Sequence, residues 1–188
     1  MELRTPAPNH SLVARQTNQR IDNASRDDLR DIRAAYEHAR AMQRDTGFSI
    51  WPVFPDATIL DEISKGQLYR VIIEDSIVGV FSIAHEDPAI WGSHECGRHL
   101  YLHRVARAAG YPGRGLMDVV LEWVADECTR LGRDGIRLDT WATNTVLIDF
   151  YLRRGFHLVE ERRLGADARL SPHYHHNSFA LLERSCGG

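Results

Sequence analysis

The residues of this chain best suited to chemistry begin with the glycine-rich segment Gly110-Tyr111-Pro112-Gly113-Arg114-Gly115, set between a run of strand character and a run of helical character. Such a loop turns successive backbone N–H groups toward one point beside the positive end of a helix dipole, and residues without side chains let an anion approach closely. The chemistry on offer is the cradling of a phosphate. Its donors would be the N–H groups of Gly113, Arg114, Gly115, Leu116 and Met117, with the Arg114 side chain as added charge. The same glycines also serve as a plain strand-to-helix turn. No Lys-Ser/Thr follows as a P-loop requires, and Gly113-x-Gly115 lacks the third glycine of the dinucleotide-binding pattern.

Asn144 and Tyr151 form a second set. Seven residues are two helical turns, so on one helix both lie on nearly the same face and could line one site. Their ordinary roles are a helix cap for Asn144 and a half-buried core tyrosine beside Phe150. A third set, His173, Tyr174, His175 and His176, is rich in imidazole. A closed metal site needs a fixed outer shell and ligands from another segment. None accompanies this cluster in the sequence, so no metal is expected; contact with a substrate or plain exposure remains.

Elements must position these residues. Ser25 with Asp28 three residues on reads as a capping box, and Leu29, Ile32, Tyr36 and Ala39 recur at helical spacing up to Gly47. Asp56 can cap a short helix ending at Gly66. Residues 68–74 and 77–84 read as a hairpin, and 99–106 as the strand that feeds the glycine loop. From Leu116 the pattern is helical, with Val120, Trp123, Val124 and Leu131 on one face. Strand 136–141, helix 143–154 and strands 156–163 and 178–184 follow; 11–17 is a weak strand candidate. The order predicts an α/β fold, a mixed sheet with helices on both faces. One domain is expected over 11–188, with 1–10 as a flexible tail.

Taken together, the segments resemble the GNAT family of N-acetyltransferases. The resemblance rests on Leu102-His103-Arg104-Val105-Ala106-Arg107, Gly113-Arg114-Gly115-Leu116, Leu138-Asp139-Thr140-Trp141-Ala142-Thr143-Asn144 and Phe150-Tyr151-Leu152-Arg153-Arg154-Gly155-Phe156. It covers about a third of the chain closely. Two departures stand out: Pro112 occupies the loop's Gln/Arg position and Met117 its final small position, and proline has no N–H to donate.

The resemblance implies a single-domain, mostly antiparallel mixed sheet and acetyl-coenzyme A as cosubstrate. It implies direct attack of an acceptor amine, a small molecule by preference, on the thioester. The backbone of Val105, Ala106 and Arg107 is implied to hold the pantetheine, the loop from Gly113 to Met117 the pyrophosphate, and Asn144 to line the site. Tyr151, protonated at neutral pH, becomes the candidate general acid for the departing thiolate. An alkylammonium of pKa about 10.4 is neutral in only about one molecule in 2,500 at pH 7, so a base is needed. His103 or Glu86 are the candidates, with His85 behind them; their ordinary roles are a hydrogen-bonded strand histidine and a solvated strand end. Rival readings are a non-catalytic acyl-coenzyme A-binding module, or a transferase for protein N-termini or aminoacyl-tRNA. For the latter, Trp51, Phe54, Tyr69 and Trp141 offer an apolar pocket.

Charge and length narrow the classes. With 23 basic and 26 acidic side chains among 188 residues, the formal charge of −3 supplies no drive toward nucleic acid or an anionic membrane. No apolar run approaches the roughly 20 residues of a spanning helix. Glu2, Pro6 and Pro8 stand where a signal peptide needs an apolar core, so the cytoplasm is expected. Cys96, Cys128 and Cys186 are widely spaced and expected as free thiols. A homodimer is left open.

Overall fold

A computed structural model of the chain describes residues 18–47, 49–167 and 169–186; the expected tail at 1–10 and the strand candidate at 11–17 lie outside them. The elements, in chain order, are β1 Gln19–Asn23, α1 Leu29–Thr46, α2 Asp56–Ser64, β2 Leu68–Ile73, β3 Ser76–Ala84, α3 Pro88–Trp91, β4 His99–Arg107, α4 Leu116–Leu131, β5 Gly135–Trp141, α5 Thr145–Leu152, β6 His157–Arg163 and β7 Ser178–Ser185. The seven strands form one sheet in the order β1-β2-β3-β4-β5-β7-β6. Among the described residues only β4 and β5 run parallel.

Local chemistry sets the ends of the elements. Asp28 accepts the Ser25 N–H at 2.7 Å, and a single 3-10 turn there leads into α1. Gly47 then closes α1 in the left-handed region, at φ 73°. α2 begins one residue earlier than expected, with Pro55 in the capping position and Asp56, the expected cap, inside the first turn. The β2–β3 hairpin turns on Glu74 and Asp75, both at positive φ, rather than on Asp75 and Ser76. A two-residue loop with two positive φ angles matches the right-handed twist of the flanking strands.

Two layers of helices cover the sheet. α4 buries Leu116, Val120, Leu121, Val124 and Cys128 against Phe81, Leu100, Leu102, Ile136 and Leu138, together with Tyr151 and Phe156. On the opposite face α1 and α2 place Ile32, Ala35, Tyr36 and Ile59 against Leu68, Val80 and Ala106. A third cluster on that side joins Ile90 and Trp91 of α3 to Tyr101, Phe179 and Leu181.

Two features of β4 shape the centre of the molecule. Val80 lies opposite Ala106 and Ser82 opposite His103, so β4 carries one residue more than β3 over this stretch. The extra residue sits at Arg104, whose φ is 49°. A one-residue bulge reverses the alternation of side chains. Leu100 and Leu102 therefore face α4, while Ala106 faces α1. The second feature is the partnership with β5, which holds only for His99, Leu100 and Tyr101 opposite Gly135, Ile136 and Arg137. Beyond these, β4 and β5 part like a wedge.

Candidate active site

The wedge opens into a cleft of about 720 Å³. From Leu102 onward the edge of β4 that faces β5 has no strand partner among the described residues. Such an edge presents N–H and C=O groups to any extended molecule lying along it. Val105, Ala106 and Arg107 line the cleft there, and Gly113, Leu116 and Met117 close its lower end.

The loop has the geometry of an anion cradle. Gly115 caps α4 at φ 80° and contributes no side-chain acceptor to the first turn. A Cβ at Gly115 would meet nothing within 4 Å, so open space lies before the helix end. Leu116 N–H reaches Gly113 O at 3.3 Å and Val119 N–H reaches Gly115 O at 3.1 Å. The intervening N–H groups of Met117 and Asp118 are among those a helix start leaves unsatisfied. Arg107 runs beside the loop: its guanidinium donates to Tyr111 O, and its Cδ would stand 2.7 Å from a Cβ at Gly113. It supplies a cation next to Pro112, while Arg114 is exposed.

Tyr151 lies in the cleft wall at 7% exposure, edge-to-face with Phe150 and Phe156. Burial, aided by the negative charge of Asp139, drives its pKa above the ordinary value, so the hydroxyl keeps its proton. Asn144 also lines the cleft. Its Oδ1 accepts the Leu147 N–H at 3.1 Å and caps α5, which leaves the amide NH₂ for other contacts.

His103 lines the same cleft, between two carboxylates that the sequence reading did not single out as site residues. Its Nε2 is 3.4 Å from Asp87 Oδ2, and its Nδ1 is 3.6 Å from Asp139 Oδ1. These three side chains bring ligand-type atoms within 4.8 Å of one another. The carboxylates approach opposite nitrogens of one ring rather than converging on one point, at distances longer than a firm hydrogen bond. Burial, then the like charge of Asp139, push Asp87 up to about 7. Burial raises Asp139 to about 6, against a bond from the Tyr174 hydroxyl. His103 is lowered to about 3 by burial and by Arg104. Glu86 borders the cleft and is exposed.

The far side of the cleft is aromatic. Trp51 and Phe54 stand edge to face at 6.0 Å, with Arg104 over the Phe54 ring at 4.9 Å and paired with Glu62. Across from them are Trp141, Tyr174 and Phe179. Tyr69 does not join them: it packs on Phe81 and Trp123 in the core under α4, because its place on β2 points the other way. The histidine cluster disperses. His173 lines the cleft against Tyr174, His175 bonds the carbonyls of Asp167 and Leu170, and His176 is exposed.

Two of the missed residues left a trace. Asp87-Pro88 is a capping residue followed by a proline at the first helical position. Asp139 alternates with Arg137 on the strand stretch Ile136 to Trp141 and lies in the segment from Leu138 to Asn144 that carries the family resemblance.

Comparison with known proteins adds to this geometry. Residues 30–156 match the family model of the acetyltransferase (GNAT) family. The chain belongs to the acetyltransferase (GNAT) family. A curated relative, the uncharacterized N-acetyltransferase YesJ of Bacillus subtilis, is 29% identical over 114 residues. That match spans 58% of this chain and 61% of the relative. A GNAT acetyltransferase of Streptococcus agalactiae shares the fold with a TM-score of 0.71 and 18% identity, over 89% of this chain and 95% of that one. The putative acetyltransferase yncA of Salmonella typhimurium, solved with its cofactor acetyl-CoA, gives 0.64 and 15% identity over 92% and 96%. The mixed, mostly antiparallel sheet expected of a GNAT fold is thus present. No helix among the described residues is long and apolar enough to cross a membrane.

Proposed function

We infer that this protein acetylates the primary amine of a small molecule with an apolar body. The observation that carries the reading is the wedge between β4 and β5, with a phosphate cradle at one end, an aromatic chamber at the other and Tyr151 in the wall between them. The residues present suit acetyl-coenzyme A. The Gly113–Met117 loop would take the pyrophosphate, with Arg107 beside it, and the free edge at Val105 and Ala106 would take the pantetheine. Bound there, the cosubstrate supplies an activated acetyl thioester. Tyr151 holds a proton at its hydroxyl for the leaving sulfur.

The chamber's composition supports the acceptor class. Its carboxylates are Glu62, Glu86, Asp87 and Asp139; of the arginines on this side, Arg104 is paired with Glu62 and Arg169 with Asp167. Carboxylates favour an ammonium and disfavour the phosphates of a tRNA. Trp51, Phe54 and Trp141 favour an apolar substituent. The test is transfer of labelled acetyl from acetyl-coenzyme A to a panel of acceptors. Arylalkylamines should be acetylated ahead of acidic amino acids and N-terminal peptides. Peptides as the preferred acceptors would overturn the small-molecule reading, and the absence of any acetylated product would favour a binding module.

A further inference from the structure

We propose that Asp87 is the base that deprotonates the acceptor, with His103 as the residue that positions its carboxylate. The proposal deepens the reading of the cleft as an N-acetyltransferase site and rests on it.

Asp87 lies in the cleft wall, with 13% of its side chain exposed. As the cap of α3 it accepts the Ile90 N–H, and its own N–H donates to Glu95 at 2.7 Å. The carboxyl is therefore held from the backbone side. From the other side His103 stands between it and Asp139. A neutral imidazole has one N–H and one lone pair. At 3.4 Å from Asp87 and 3.6 Å from Asp139 the ring stands between the two carboxylates as a spacer and fixes the place of Asp87 by packing. When Asp87 is ionised, Oδ2, the oxygen not engaged by the Ile90 N–H, is open to accept from a substrate.

The groups facing Asp87 are Asp139 from β5, His103 from β4 with Arg104 beyond it, Glu95 from the loop after α3, and Tyr174 from the segment before β7. Of the three linked groups, burial and the Asp139 charge bring Asp87 nearest to neutrality, at about 7, where a base at cellular pH works best. His103, lowered to about 3, stays neutral and is a poor resting place for the proton. Glu86 is exposed and has no such scaffold.

The step balances. An ammonium N–H bond breaks and an Asp87 O–H bond forms, leaving the electron pair on nitrogen to bond with the thioester carbon. As the C–S bond breaks, the sulfur takes the Tyr151 proton, and a second nitrogen proton restores the tyrosine. The proton on Asp87 is released to water.

Asp87→Asn and Asp87→Ser both keep a good helix cap, and neither can take the proton. With 2-phenylethylamine as acceptor, wild-type kcat/KM should rise with pH through about 7, because the base must be ionised. Either variant should lose about 10²–10⁴-fold at pH 7 and regain activity toward pH ~10, where the amine deprotonates by itself. A purely structural role would lower the rate equally at every pH. His103→Gln should move the midpoint of the wild-type profile and leave coenzyme A affinity intact. Independently of any acceptor, carbon-13 spectra of aspartate-labelled protein should show one carboxyl titrating near 7 that Asp87→Asn removes. No such carboxyl, or variants with wild-type turnover, would overturn the proposal. Failure of the wild type to bind coenzyme A would defeat the underlying reading instead, and this proposal with it.

Discussion

At the residue scale, burial rather than residue type separates the groups that could do the chemistry. Tyr151 is shielded and its pKa rises, so it remains a proton donor throughout the neutral range. Asp87 and Asp139 are raised by the same cause, and the bond from Tyr174 partly holds Asp139 down. Tyr151→Phe keeps the ring and its packing against Phe156 while removing the proton. Turnover should fall about 10²-fold, toward the lower end for acid–base groups, because a thiol of pKa near ~8.5 is already a fair leaving group. Coenzyme A affinity and melting temperature should stay close to wild type. Full turnover in Tyr151→Phe, with the chemical step rate-limiting, would remove this residue from the mechanism. The sequence exposed Tyr151 and the loop because each sits in a contiguous pattern. It hid Asp87, which meets His103 only because α3 folds against the middle of β4, a contact no local spacing encodes.

At the element scale, the site depends on how α4 is seated. Gly79 on β3 lies beneath the first residue of α4: a Cβ there would stand 2.9 Å from Leu116 Cδ2 and 3.2 Å from Ala106 O. Gly79→Val should displace the start of α4 without touching the loop, destabilise the fold by about 1–3 kcal/mol and weaken coenzyme A binding. Chemical denaturation and calorimetry on the same variant check both effects; unchanged affinity in a destabilised protein would show that the cradle does not depend on this packing. The helices were legible because their ends carry glycines in the left-handed region, at 47 and 132. β1 was not, since Gln19-Arg20-Ile21-Asp22-Asn23 is a mostly exposed edge strand with little apolar alternation. α3 is four residues long, too short to show a helical period.

At the scale of the whole molecule, seven strands act as two plates that meet at Tyr101 and part below it. The four-strand plate β1-β2-β3-β4 carries the bulge and the free edge, while β5-β7-β6 carries Asp139 and leads through Asn144 into the helix of Tyr151. The sequence announced a mixed sheet and a strand-loop-helix unit, but the divergence of two parallel neighbours is a tertiary property and leaves no mark in composition. In the proposed function acetyl-coenzyme A lies in this wedge with its pyrophosphate at the start of α4. Calorimetric titration of coenzyme A into wild type and Gly115→Val tests it most directly. Gly115 sits at φ 80°, where valine is strained, and open space lies in front of it, where valine would obstruct the anion. The wild type should bind one equivalent, and the variant, shown by its circular dichroism spectrum to be folded, should bind at least about tenfold more weakly, a loss of about 1.4 kcal/mol. Equal affinity in the two proteins, or no binding to the wild type, would contradict the account.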